Sequence, residues 1–211
     1  MLKIPAFAKR QNVSSKFIQN PAKMKKILSF LVLNFCVFAF CQNLNLKNPI
    51  SKDFELPQKM KTNDIAIIYE TNGGWSAYDY VNYYFISSNG ILDSYSEEKS
   101  KAYLKNEKLK RTVKKIELTQ DRKEKIIQLI KSKQLSDLLK YNQEDFKIKV
   151  NENIPPPCYI SDVNGYKLTF IQNNKQNTYD YYAPKYMYEK CPHKTINKAV
   201  LKTFIDVLDL F

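Results

Sequence analysis

Polar and apolar positions alternate in short runs along most of this chain, and two segments instead repeat apolar residues at every third or fourth position. Alternation with a period of two is typical of strands that bury one face, and spacings of three and four are typical of amphipathic helices. The pattern predicts an α+β fold. We expect a mostly antiparallel sheet of about six to eight strands in meanders, with two main helices near 120–133 and 195–210 packed on it.

The predicted strands fall into two groups. The first contains a buried β-branched run at 64–70, a long aromatic strand at 77–86 and a return strand at 91–95. Residues 87–90 carry the hairpin signal between the last two. A lysine-rich strand at 112–118 follows, and its charge is typical of the edge of a sheet.

The second group begins with a predicted one-faced strand at 146–150, where apolar residues alternate with lysines. Asn164 and Gly165 stand between the runs 159–163 and 166–172, and they predict a tight hairpin because Asn-Gly readily adopts positive φ. In the second run, Tyr166, Leu168 and Phe170 alternate with other residues and are predicted to share one face. A polar turn at 173–176 and a strand at 177–182 complete the group.

Helix signals follow each group. Thr119 is a predicted N-cap, and Asp121 lies in the first turn, where a negative charge suits the positive end of the helix. The last helix is predicted from apolar residues at steps of three and four, and these are Ile196, Ala199, Val200, Phe204, Val207, Leu208 and Phe211.

An almost uninterrupted apolar stretch at 27–40, broken by Asn34, has the pattern of a secretory signal peptide. Lys25 and Lys26 precede the stretch, and Ala39 and Cys41 provide small residues at its end. We expect cleavage before Gln42 and export to the periplasm or the medium. The sequence leaves two alternatives open: lipid attachment at Cys41, and retention as a membrane anchor, although the stretch is shorter than the roughly 20 residues that span a bilayer.

These signals divide the chain into four parts. Residues 1–23 are an upstream extension, either untranslated or disordered, and residues 24–41 are the signal peptide. Residues 42–63 form an extended leader, and residues 64–211 form a single α+β domain. Seven of the 34 basic residues and none of the acidic ones lie before residue 42, so processing lowers the net charge from +13 to +6. That moderate charge does not indicate a nucleic-acid partner.

Processing also leaves only two cysteines, Cys158 and Cys191. In an oxidising compartment such a pair predicts a disulfide. A metal site that adds His193 is the alternative, but its spacing fits no zinc pattern, so we predict neither a metal nor a cofactor.

Aromatic residues give the main hint of a binding surface. The chain contains 15 tyrosines and 12 phenylalanines, and exposed aromatic rings offer rigid, amphipathic contact area. The candidate surface consists of Trp75, Tyr78, Tyr80, Tyr83, Tyr181 and Tyr182. A lysine-rich segment offers a candidate anion-binding site at Lys105, Lys108, Lys110 and Arg111, although such a run is also typical of a solvated loop.

The sequence contains no nucleotide-binding loop or catalytic-triad pattern, so no catalytic residue is assigned. We expect a non-enzymatic binding or interaction domain whose partner is a protein or glycan of the cell envelope. The alternative is a periplasmic hydrolase that acts on an envelope polymer through paired carboxylates. Its candidate residues are Glu70, Asp79, Asp93 and Asp180.

Overall fold

Seven antiparallel strands form one sheet in the computed structural model, which describes residues 42–50, 55–74, 76–101, 112–148, 158–192 and 194–211. The sheet order is β1-β7-β6-β2-β3-β4-β5. The strands are β1 Asn48–Pro49, β2 Ile65–Gly73, β3 Tyr78–Ile86, β4 Leu92–Ser100, β5 Thr112–Ile116, β6 Asn164–Gln172 and β7 Lys175–Tyr182. The predicted α+β class and antiparallel sheet are therefore confirmed.

The sheet combines a meander with a hairpin. Strands β2 to β5 pair in sequence order, with β5 at one edge as predicted. The β6–β7 hairpin returns to the other side of β2, so that β6 pairs with the full length of β2, from Ile65 with Gln172 to Gly73 with Asn164. This return places β2 and β6, which are far apart in sequence, side by side in the middle of the sheet.

Helices lie at the two predicted places. The described helices are α1 Gln120–Ile130, α2 Lys133–Leu138, α3 Pro184–Glu189 and α4 Lys198–Leu208, with a 3-10 helix at Gln143–Phe146. Thr119 is the N-cap of α1, and its side chain accepts a hydrogen bond from the Arg122 backbone N–H. Within the described residues, no helix is both long enough and apolar enough to cross a bilayer.

The main core lies between the helices and one face of the sheet. Helix α4 contributes the buried residues Val200, Leu201, Phe204, Ile205, Val207 and Leu208. Opposite it, Leu168 and Phe170 of β6 are fully buried, with Tyr166 partly buried on the same face as predicted. Strand alternation and helical periodicity thus direct the apolar side chains of both layers into one cluster.

The leader contributes to both faces of the sheet. Leu44 and Leu46 are buried in the main core, whereas Leu56 and Met60 pack on a smaller cluster on the opposite face. Gln172, which is 3 % exposed, holds the leader: its Oε1 accepts a hydrogen bond from Leu44 N at 2.7 Å, and its Nε2 donates to the carbonyls of residues 42 and 63. The described parts of the leader, residues 42–50 and 55–63, therefore pack on the sheet.

The predicted hairpin at Asn164-Gly165 is wrong. Both residues lie inside β6, where Asn164 pairs with Gly73 and Gly165 pairs with Asn72. The tight turn of this region lies at Asn173 and Asn174, with φ of 51° and 59°, within the polar turn predicted at 173–176, and it connects β6 to β7. Asparagine tolerates the left-handed conformation that a two-residue hairpin needs.

The predicted strand at 146–150 is also wrong for its described part. Phe146 ends the 3-10 helix and is buried, whereas Ile148 is 47 % exposed. Only a single bridge forms, between Lys147 and Ile196. The alternation of apolar residues and lysines predicts a strand here. The backbone at Phe146 instead forms a helical turn, and this turn places the Phe146 ring in the main core.

The predicted disulfide is confirmed. Cys158 and Cys191 are bonded, with their Cα atoms 5.7 Å apart. The bond joins the segment before β6 to the segment between α3 and α4. Several predictions concern residues outside the described ranges, and these are the upstream segment, the signal peptide with Cys41, Trp75, Lys105, Lys108, Lys110, Arg111, Val150 and His193.

Candidate ligand-binding site

A cleft of about 490 Å³ opens where one end of the sheet meets α3 and the end of α4. Three tyrosines from separate elements line it: Tyr69 of β2, Tyr166 of β6 and Tyr186 of α3. Polar side chains lie among them, namely Asp162, Asn164, Lys185 and Asp209. A volume of this size, with mixed aromatic and polar walls, is typical of sites for small ligands.

The sheet register places the first two tyrosines together. Tyr69 pairs with Leu168, so Tyr166, two residues before Leu168, is a diagonal neighbour on the same face. The Tyr69 and Tyr166 rings stack with centroids 6.3 Å apart, and the Tyr69 ring also stacks on Phe211 at 5.3 Å. Tyr69 is therefore held in a row of rings whose position the packing fixes.

Burial raises the pKa of the Tyr69 phenol to about 12, and the neighbouring Tyr166 and Tyr84 act in the same direction. The group therefore stays protonated far above neutral pH. A protonated phenol both donates and accepts hydrogen bonds, so Tyr69 offers the cleft a neutral polar group.

At one wall of the cleft, the backbone of Gly73 lies close to the backbone of Val163. Gly73, at the end of β2, has φ of 104°, and a Cβ placed there would lie 2.7 Å from the carbonyl oxygen of Val163. Only glycine fits this position without displacing the wall. The Val163 N–H donates a hydrogen bond to the Tyr182 hydroxyl at 3.3 Å, which fixes the wall from its other side.

Two non-glycine residues with left-handed backbone also line the cleft. Asp162 has φ of 61°, and the buried Ala183 has φ of 49° and ψ of 48°. Such conformations cost on the order of 1–2 kcal/mol for residues with a Cβ, and they often occur at functional sites. The Ala183 N–H donates to the Asn164 carbonyl at 3.1 Å, so the strained turn joins the two sides of the cleft.

An ion pair closes the helical side. Lys185 lies in the first turn of α3, and Asp209 is the C-cap of α4. The Lys185 Nζ atom is 2.6 Å from the Asp209 Oδ1 atom. Both side chains remain more than half exposed, so the pair contributes little to stability. Its main effect is to hold one positive and one negative group at the rim of the cleft.

The tyrosines predicted as a binding surface do not come together in one place. Tyr78 and Tyr80 lie on the helix face at the start of β3, and Tyr80 is 46 % exposed. Tyr83 is buried on the opposite face, where its hydroxyl donates to Glu97 at 2.5 Å. Tyr181 packs against the main core. Tyr182 is not among the residues that line the cleft, but its hydroxyl accepts a hydrogen bond from the Val163 N–H in one wall.

The carboxylates proposed for hydrolysis lie away from the cleft. Glu70, Asp79 and Asp180 point to the face opposite Tyr69, as strand alternation requires, and Asp93 forms an ion pair with Lys115 at 2.6 Å. Within the described residues, no group of three or more histidine, cysteine, aspartate or glutamate side chains could hold a metal ion. The disulfide also occupies both sulfurs of the alternative metal site.

Sequence reasoning missed the cleft because its residues come from four separate parts of the chain. The face of Tyr166 was predicted correctly, and Tyr186 lies in a tyrosine-rich segment, yet no local spacing links either to Tyr69. The only local signal was the polar segment around Asp162 and Asn164, which was interpreted as part of a hairpin.

A comparison of the chain with protein-family models finds no match, and a comparison with curated proteins finds none either. The candidate site therefore depends on the geometry alone.

Replacing the strained Ala183 by glycine is expected to change the free energy of unfolding by less than about 0.5 kcal/mol. Relief of the left-handed strain offsets the added chain entropy and the lost methyl contact. The matched control is Ala199→Gly on the exposed side of α4, which should lower stability by about 1 kcal/mol. Urea unfolding of both variants measures the difference, and equal losses at the two positions would contradict strain at Ala183.

Proposed function

We propose that this protein is an exported, non-enzymatic binding protein that takes its ligand in the tyrosine-lined cleft. The cleft itself carries the proposal. It combines three tyrosines, four polar side chains and two strained backbone positions in about 490 Å³. Export is supported by the signal-peptide pattern and by the disulfide, since such bonds persist in oxidising compartments.

The arrangement supports recognition because its groups are fixed before a ligand arrives. Tyr69 is stacked between neighbouring rings, and Gly73 brings the wall containing Val163 close. Preorganised groups lose little conformational entropy when they bind. A rigid cleft of this kind suits a protein that captures one class of ligand.

The binding proposal is tested by thermal unfolding of the full-length chain, expressed for export, against separate panels of saccharides, amino acids, muropeptides and quaternary amines. A ligand at 100 times its Kd stabilises by about 2.7 kcal/mol, which raises Tm by roughly 5 to 10 °C for a chain of this size. We expect a shift with at least one panel in the wild type and in Tyr159→Ala, a control at an 88 % exposed tyrosine outside the cleft.

The same shift should be absent from Tyr186→Ala, which removes one wall of the cleft. A Tyr80→Ala variant tests the surface predicted from sequence. If the shift in Tm is lost in this variant and kept in Tyr186→Ala, the ligand binds at that surface and not in the cleft. Failure of every panel to stabilise the wild type would overturn the proposal.

Export is tested by the intact mass of the protein after expression with its own N-terminal segment. We expect a chain that begins at Gln42 and carries no lipid. A mass that retains residues 24–41, or one that includes acyl chains on Cys41, would show anchoring instead.

A second candidate, a hydrolase, is favoured by one observation: Asp162 and Asp209 both line the cleft. Two carboxylates that flank a bound polymer are the groups that glycoside hydrolysis uses. Release of new reducing ends from a bound oligosaccharide, lost in Asp162→Asn and Asp209→Asn, would establish this candidate over simple binding.

A further inference from the structure

The inference drawn here rests on the proposed binding function and names the ligand class. We propose that the cleft binds a neutral oligosaccharide, with sugar rings stacked on tyrosine and hydroxyl groups bonded to the polar side chains. Three properties of the cleft support this class: its charge, its hydrogen-bonding groups and its free aromatic surface.

The charges in the cleft disfavour an anionic ligand. Lys185 and Asp209 neutralise each other at 2.6 Å, which leaves Asp162 as the remaining charged group among the lining residues. Among the lining residues an anion would meet two carboxylates and one ammonium, and the Arg122 guanidinium, which acts on the Tyr69 phenol, lies outside that lining. A neutral ligand that donates hydrogen bonds to these carboxylates meets no such repulsion, and charge-assisted bonds of this kind are strong.

The polar groups suit a ligand that both donates and accepts hydrogen bonds. The Asp162 carboxylate accepts, the Lys185 ammonium donates, and the Asn164 carboxamide does both. The Tyr69 phenol remains protonated and so also does both. Adjacent hydroxyl groups on a sugar have this dual character, and they can therefore satisfy such a set in full. A purely cationic ligand could not accept a hydrogen bond from the Asn164 carboxamide.

Aromatic surface is available for stacking. Tyr69 already stacks on two rings, whereas Tyr166 stacks on Tyr69 alone among the described rings. Tyr186 forms no ring pair with another described residue. The C–H faces of a sugar ring pack on such tyrosines much as apolar groups do. The volume of the cleft suits on the order of two or three sugar rings.

The test is isothermal titration of the full-length chain, expressed for export, with cellohexaose, maltohexaose, xylohexaose and chitohexaose. Two further arms use an anionic oligogalacturonate and tetramethylammonium chloride. We expect at least one neutral oligosaccharide to bind, with an affinity that changes little between low and high salt because the ligand carries no charge.

Variants locate the binding. Tyr166→Ala should weaken it by at least about tenfold, which corresponds to about 1.4 kcal/mol, whereas Tyr166→Phe keeps the ring and should stay within about threefold. Asp162→Asn keeps a residue that tolerates the left-handed backbone, and it should also weaken binding about tenfold. Tyr159→Ala is the matched control and should bind as the wild type does. Circular dichroism and urea unfolding confirm that each variant is folded.

The outcomes separate the ligand class from the binding function. If tetramethylammonium or the anionic oligomer binds in a Tyr166-dependent way and no neutral oligosaccharide does, the ligand class is wrong and the cleft function stands. If a neutral oligosaccharide binds equally well to wild type, Tyr166→Ala and Asp162→Asn, the proposed site is wrong. If no probe here binds and none of the panels in the thermal test does either, both proposals fail.

Discussion

Replacement of Phe204 by alanine is expected to lower the free energy of unfolding by about 3 to 5 kcal/mol. Phe204 is fully buried at the centre of α4. Its ring packs edge-on against Phe146 at 5.5 Å and lies 6.5 Å from the Tyr179 ring, so it joins the helix to the 3-10 turn and to β7. Truncation would leave a cavity among rigid rings that cannot easily collapse to fill it.

Lys202→Ala provides the matched control on the same helix. Its side chain is about half exposed and forms an ion pair with Asp206 one turn away. Such exposed pairs contribute only a few tenths of a kcal/mol. Urea unfolding followed by circular dichroism measures both variants, and a loss at Phe204 no larger than that at Lys202 would contradict the observed packing of α4.

Removal of the disulfide, as the double variant Cys158→Ala and Cys191→Ala, is expected to cost about 3 to 4 kcal/mol. The bonded residues are 33 positions apart, and the loop between them contains β6, β7 and α3. Opening that loop increases the entropy of the unfolded chain, which is the main source of the loss. Alanine is chosen because Cys191 is fully buried, where a serine hydroxyl would need a partner.

Reduction of the wild type provides the internal control. Reductant should lower the unfolding midpoint of the wild type towards that of the double variant, and it should leave the double variant unchanged. If reductant shifts both proteins equally, the effect does not arise from this bond. The disulfide also anchors the segment just before Asp162, so its removal is expected to loosen one wall of the cleft.

Most of the fold was predictable because its signals are local. The buried β-branched run at 64–70, the aromatic run at 77–86 and the alternating lysine-rich edge at 112–118 each predict a strand, and the structure has strands there. The last helix was likewise predicted from its spacing, although Leu201 and Ile205 are also buried and Ala199 is exposed. The helix turns a wider apolar face to the core than the predicted residues covered.

The errors occurred where tertiary contacts override a local signal. Asn164 and Gly165 favour a turn in isolation, yet β2 lies alongside and offers Gly73 and Asn72 as ladder partners. Pairing in the middle of a sheet satisfies backbone groups on both sides, so the extended conformation is favoured over the turn. The strand predicted from the alternation that begins at Phe146 is wrong for a related reason. The Phe146 ring packs in the main core, and a helical turn rather than a strand places it there.

The sequence by itself determined the class of fold, the cysteine pair, the shared face of Tyr166, Leu168 and Phe170 and much of the buried face of α4, because periodicity and residue type act over a few neighbouring positions. Only the tertiary structure decided that β6 lies beside β2. That pairing brings Tyr69 to Tyr166, and the packing of α3 and α4 adds Tyr186 and the Lys185–Asp209 pair. The cleft exists because residues distant in sequence share a sheet register and a helix contact, and neither is encoded in any local pattern.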